Sequence, residues 1–117
     1  MAHRVMILED DPFIALDMEG LVEEAGYDVL GPVASAKAAL RLIANDNCPD
    51  CALLDFNVTG GTSEALAREL DRRGVPYMFL TGNADDVQDA LGDTDPIIHQ
   101  KPVRGFLILR SLKTLLD

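Results

Sequence analysis

Short unbroken apolar runs alternate along this chain with stretches whose apolar residues recur at helical spacing, and that alternation leaves few folds open. Val5 to Leu8, Cys51 to Leu54 and Tyr77 to Leu80 are apolar at every position, so each must be covered on both faces. A less uniform run spans Tyr27 to Val33, and a short one lies at Ile97 to His99. Between them, Ile14, Met18, Leu21, Val22 and Ala25 repeat with the period of a helix. So do Ala36, Ala39, Leu40 and Ile43, then Leu66 and Leu70, and finally Phe106, Leu109, Leu112 and Leu116. A short acidic helix is expected from Ala84 to Leu91. The punctuation agrees: Asp11 before Pro12 reads as a helix cap, Ser35 as another, and Gly26, Asn45-Asp46-Asn47 and Gly74 as helix ends. The third strand is expected to run on to Phe56 before Thr59-Gly60-Gly61. Five βα units of this size predict an α/β fold, a doubly wound five-stranded parallel sheet flanked by five helices.

At 117 residues the chain fits one domain, residues 1–117, with no stretch left for a second. A formal charge of −10 argues against nucleic acid or an anionic membrane as a direct ligand, because both require a basic footprint. No apolar run approaches the roughly 18 residues of a membrane span, and the first one meets three acids after four residues, unlike a secretory signal. A cytoplasmic protein is expected. Cys48 and Cys51 form a C-x-x-C, but Cys51 opens an apolar run and does not begin a helix, so it reads as a small buried hydrophobe.

What stops the apolar runs is more specific. The first ends at Glu9-Asp10-Asp11, the third at Asp55, the fourth at Thr81 and the last at His99-Gln100-Lys101. In a parallel sheet these residues gather at the carboxyl edge, where open α/β sheets bind ligands. Glu9, Asp10 and Asp55 would then crowd three negative charges that a hard cation relieves, and Mg2+ fits because it takes a few carboxylates and leaves positions for phosphate oxygens. Asp55, directly after its strand, is a candidate nucleophile for an aspartyl phosphate. Phosphoryl transfer needs positioning and neutralised charge: the metal takes one oxygen, Lys101 a second and Thr81 a third. Asp11 reads as a cap and not as a ligand, and His3 and His99 receive no role.

With these residues in place the chain resembles a response-regulator receiver domain, the phosphoacceptor half of two-component signalling, from Val5 to Leu116. The resemblance rests on E-D-D-P (Glu9 to Pro12), L-L-D-F-N (Leu53 to Asn57), F-L-T-G (Phe79 to Gly82) and Q-K-P (Gln100 to Pro102). It implies a flavodoxin-like fold in which Glu9 and Asp10 bind Mg2+, Asn57 lends the metal its backbone carbonyl, and Asp55 accepts the phosphoryl group. Thr81 and Lys101 contact the phosphoryl oxygens, and the Lys101-Pro102 bond is cis. It further implies a stand-alone response regulator that is no enzyme beyond its self-catalysed phosphorylation and dephosphorylation. The implied partners are a sensor histidine kinase or phosphotransfer protein and a downstream protein target.

Two positions depart from the family pattern. Receivers place an aromatic or His three residues before the lysine as a rotamer switch, and Ile98 stands there; Asn57-Val58-Thr59-Gly60-Gly61 replaces the usual Met-Pro-bearing turn. Both features resemble a stand-alone subgroup common in alphaproteobacteria with a Phe-Ala-Thr-Gly-x-x-Tyr signature, whose front half Phe79 to Gly82 matches while Asp85 occupies its Tyr position. Two other readings compete. One is a haloacid-dehalogenase-like phosphatase, which would put the nucleophile in the first acidic cluster; the other is a pseudo-receiver that binds a partner without phosphorylation. With Ile98 in place of a ring, the Gly82 to Gly92 segment is expected to carry the response and to be held by few buried contacts.

Overall fold

The structure, a computed structural model, describes residues 2–116, so Met1 and Asp117 of the expected domain lie outside it. In chain order the elements are β1 (Arg4–Leu8), α1 (Pro12–Glu24), β2 (Asp28–Val33), α2 (Ala36–Ala44), β3 (Cys51–Leu54), β4 (Asn57–Val58), β5 (Gly61–Thr62), α3 (Glu64–Arg73), β6 (Tyr77–Thr81), α4 (Ala84–Leu91), a 3₁₀ turn (Gly92–Thr94), β7 (Ile97–Gln100) and α5 (Gly105–Leu116). The main sheet has the order β2-β1-β3-β6-β7 with every pair parallel, and β4 and β5 form a separate antiparallel hairpin. Strand order reverses at β1, so the crevice between β1 and β3 is the switch point at which such sheets bind ligands.

Alternation along the strands divides the core into two layers. Val5, Ile7, Cys51, Leu53, Met78 and Leu80 pack with Met18 and Val22 of α1 and Ile108 and Leu112 of α5. Met6, Leu8, Ala52, Leu54 and Phe79 pack on the opposite face with Ala39 and Ile43 of α2, Leu66 and Leu70 of α3, and Val87 and Leu91 of α4. Strands apolar at every position are thus those with helices on both sides. Among the described residues, no helix is long and apolar enough to cross a membrane.

The helix ends follow the expected chemistry. The Asp11 carboxylate accepts from the backbone N–H groups of Phe13 (2.9 Å) and Ile14 (3.2 Å), and the Ser35 hydroxyl accepts from that of Ala38 (3.1 Å). Gly74 closes α3 with φ +72°, a left-handed conformation that costs glycine least. Cys51 is buried in β3, where burial pushes its thiol up to about 12; both cysteines are free.

Four expectations need correction. The third strand ends at Leu54 and not at Phe56, because Ser63 captures the next two carbonyls: its hydroxyl donates to Asp55 (2.8 Å) and its N–H to Phe56 (2.9 Å). Phe106 is 57% exposed, since the buried stripe of α5 runs through Ile108 and Leu112. Ile14 is 37% exposed, and Ala15 takes its expected place on the inner face of α1. Nor is the segment from Gly82 to Gly92 thinly anchored. Val87 and Leu91 are fully buried, and Arg68 reaches from α3 to the Asp93 carboxylate (2.9 and 3.2 Å) and the Ala90 carbonyl (3.1 Å). Arg68 also pairs with Glu64, as the i,i+4 spacing predicts, but only at 3.9 Å.

Candidate functional site

Strand register brings the polar residues together. Leu8 pairs with Leu54, so Glu9 and Asp55 each sit one residue past an aligned position, and the Asp55 N–H still donates to the Leu8 carbonyl (2.9 Å). Thr81 ends β6 and pairs with Gln100, which sets Lys101 one residue beyond; the Lys101 N–H donates to the Thr81 carbonyl (2.7 Å). The Lys101-Pro102 peptide is cis, as is Gly31-Pro32.

Lys101 is the electrostatic centre. Its Nζ donates to Glu9 Oε1 at 2.6 Å and to Asp55 Oδ2 at 3.0 Å. The side chains differ in exposure: 2% for Glu9, 13% for Asp55 and 23% for Lys101, so solvent reaches the lysine side chain more than either acid. Burial opposes the Lys101 charge, yet the two carboxylates outweigh it and raise its pKa. Burial raises the Glu9 carboxyl above its ordinary range even though Lys101 and the Asp11 N–H (3.1 Å) favour the ionised form; the charge of Asp55 adds to the rise.

Glu9, Asp10 and Asp55 each offer an oxygen within 4.8 Å of the others. Asp10 faces solvent and accepts from the Thr59 hydroxyl at 3.3 Å. One ammonium against three carboxylates leaves the cluster negative, and its donors are all hard oxygens. This set suits a magnesium-sized cation, which takes carboxylate oxygen and retains open positions. Asp11 is committed to its cap and stands outside the cluster.

The remaining predicted residues fall around this centre. Thr81 is buried, and its hydroxyl accepts from the Asn83 N–H at 3.3 Å. Asn57 lies exposed in β4, its side-chain amide donating to Asp86 at 3.1 Å. Ile98 packs its aliphatic side chain against the α2–α4 layer. Residues that sequence reasoning left without a role also contribute: Ser63 fixes the backbone of Asp55, Thr59 holds Asp10, and Gln100 touches the turn after Thr81. Gln100 belongs to the Q-K-P run at residues 100–102, but nothing in its neighbours along the chain shows what it reaches. Lys101 also lines a mainly apolar cavity of about 670 Å³, with Ile14, Leu21, Leu80, Val103 and Ile108, where Asp17 is the one carboxylate; among the described residues, Glu9, Asp10 and Asp55 form the one group of three acids close enough to share a cation.

Comparison with known proteins is consistent with this geometry. The family model described as response regulator receiver domain matches residues 5–98. The phyllosphere-induced regulator PhyR of Methylorubrum extorquens is 34% identical over 83 residues, which make up 69% of this chain and 31% of that protein. The chain therefore spans about a third of the length of this curated relative. Among solved structures, a CheY-like response regulator receiver domain protein from Methanospirillum hungatei superposes with a TM-score of 0.88 at 25% identity, covering 100% of this chain and 95% of that one. The response regulator PhyR from Brucella abortus gives 0.82 at 28% identity, covering 99% of this chain and 48% of that one.

Proposed function

This chain belongs to the response regulator receiver domain family, and on that footing we propose that it is a magnesium-dependent phosphoacceptor whose phosphorylated residue is Asp55. The observation that carries the reading is the ammonium of Lys101 bridging a nearly buried Glu9 and Asp55, beside an Asp10 that completes a set of three converging carboxylates. A structural ion pair would need one acid. The third carboxylate adds only repulsion unless a cation shares it.

In this reading Glu9, Asp10 and Asp55 hold the metal, with the backbone carbonyl of Asn57 as a further ligand. Bound Mg2+ supplies charge neutralisation for phosphoryl oxygens. Asp55 forms the new P–O bond as the donor's P–N or P–O bond breaks, and the leaving imidazole or carboxylate keeps the electron pair. Once the Asp55 carboxylate is part of the mixed anhydride, the negative charge lies on the phosphoryl oxygens; the Lys101 Nζ turns to one of them, and the Thr81 hydroxyl donates to another. The donor is a sensor histidine kinase or a phosphotransfer protein, and the output is contact with a downstream protein in place of nucleic acid, in keeping with the charge of −10. Of the competing readings, the dehalogenase-like phosphatase loses ground because Asp11 is tied up as the cap of α1.

The test is intact-mass spectrometry after incubation with acetyl phosphate and magnesium. One base-labile phosphoryl group is expected on the wild type and none on Asp55→Asn. Labelling of Asp55→Asn on another carboxylate, or labelling of the wild type undiminished by chelator, would overturn the proposal.

A further inference from the structure

Gln100 ends β7 opposite Thr81, and its side chain spans the turn that follows Thr81. Nε2 donates to the Gly82 carbonyl at 2.6 Å, and Oε1 accepts from the Ala84 N–H at 3.2 Å. These two partners fix the orientation of the amide, because a flipped group would set oxygen against oxygen and N–H against N–H. Ala84 opens α4, so its N–H is one of the donors a helix leaves unmet; Asn83 caps that of Asp86 (3.4 Å), and Gln100 reaches in from another strand for Ala84.

The turn lies between two fixed points. Before it, the Thr81 carbonyl is held by the Lys101 N–H; after it, Val87 and Leu91 root α4 in the core. Within it, the Thr81 hydroxyl accepts from Asn83, and a Cβ placed on Gly82 would meet nothing within 4 Å, so nothing packs against the turn at that point. Ile98, β-branched and wedged against the apolar layer, has neither the polar atom nor the rotational freedom to report on the site.

We propose that the Gln100 carboxamide is the latch of this domain's switch, a positioning residue that holds Gly82 to Ala84 against β7 and releases them when the Thr81 hydroxyl turns to a phosphoryl oxygen. The inference rests on the reading of Asp55 as the phosphoacceptor. Two solvent-exposed hydrogen bonds that must break on activation bias the resting state by roughly three- to tenfold, so removing them favours the activated state by that factor.

The experiment measures binding of beryllofluoride with magnesium to the wild type, Gln100→Ala and Asp55→Asn, together with amide NMR shifts of Gly82, Asn83 and Ala84. Gln100 is exposed, so its replacement leaves the core untouched. Gln100→Ala is expected to bind about three- to tenfold more tightly, and its free amides to move part of the way toward the positions they take in the bound wild type. A residue that only braces the turn would displace them elsewhere. If the wild type binds and Gln100→Ala binds equally or more weakly, the latch is refuted while Asp55 keeps its role. If wild type and Asp55→Asn alike fail to bind, the reading of Asp55 falls and the latch falls with it.

Discussion

Lys101 serves two carboxylates with one charge, and each partner is more deeply buried than the lysine itself. Removing one member of such a group costs more than the group contributes as a whole, because the carboxylates left behind lose their counter-charge in a place water scarcely reaches. Lys101→Met should therefore destabilise the metal-free protein by about 2 kcal/mol, below the 3–5 kcal/mol typical of deeply buried pairs because the ammonium is partly solvated. Urea unfolding in the presence of a chelator measures it. No loss of stability would mean that Glu9 and Asp55 are already relieved by solvent. Ser63 acts at the same scale: a buried hydroxyl holding the Asp55 carbonyl at 2.8 Å ends the strand and sets the acid at its edge.

Adjacent acids at the start of α1 show how an element sorts chemically alike residues. Asp11 sits where the helix has free N–H groups and closes two of them; Asp10, one residue earlier, extends toward Asp55 and Thr59. Asp11→Ala should cost about 1 kcal/mol of stability, the usual loss for a cap, and leave the thermal shift produced by magnesium unchanged. Asp10→Ala should do the reverse, with little cost to the metal-free fold and a reduced magnesium shift. Differential scanning fluorimetry with and without magnesium separates the two, and equal loss of the magnesium shift in both would place Asp11 in the site. α4 offers the complementary case. Short and acidic, it is held from three sides: by Arg68 of α3 at its end, by Asn57 at Asp86, and by Gln100 at its first residue.

For the molecule as a whole, 20 acidic against 10 basic residues leave a net negative charge to which Glu9, Asp10 and Asp55 belong. Self-repulsion of this kind favours the expanded state, and salt screens it over a Debye length of about 10 Å at 0.1 M. Raising monovalent salt from about 0.01 to about 0.15 M, which shortens that length about fourfold, should raise the Tm of the metal-free protein. A fall would show that specific ion pairs such as Arg73 with Glu69 (2.6 Å) outweigh the repulsion. The two-layered core is the counterweight, each central strand contributing alternate residues to both faces.

The sequence by itself determined the alternation of strands and helices, the burial of the central strands and the residues collected at the sheet edge. Those signals are local: an apolar run needs cover on both faces wherever it lies, and a cap such as Asp11 or Ser35 acts on N–H groups two or three residues away. Only the tertiary structure decided which neighbours the shared residues choose. Arg68 matches the i,i+4 rule with Glu64 but makes its shorter bonds to Asp93 and Ala90, because its long side chain reaches from α3 to the end of α4 and the 3₁₀ turn after it. Leu54 ends β3 because Ser63, eight residues past Asp55, folds back on its carbonyl. Gln100 finds Gly82 and Ala84 across a parallel strand pair whose partners lie 18 and 16 residues apart in the chain. Hydrogen bonds of this kind depend on distances in space that no periodicity along the chain encodes.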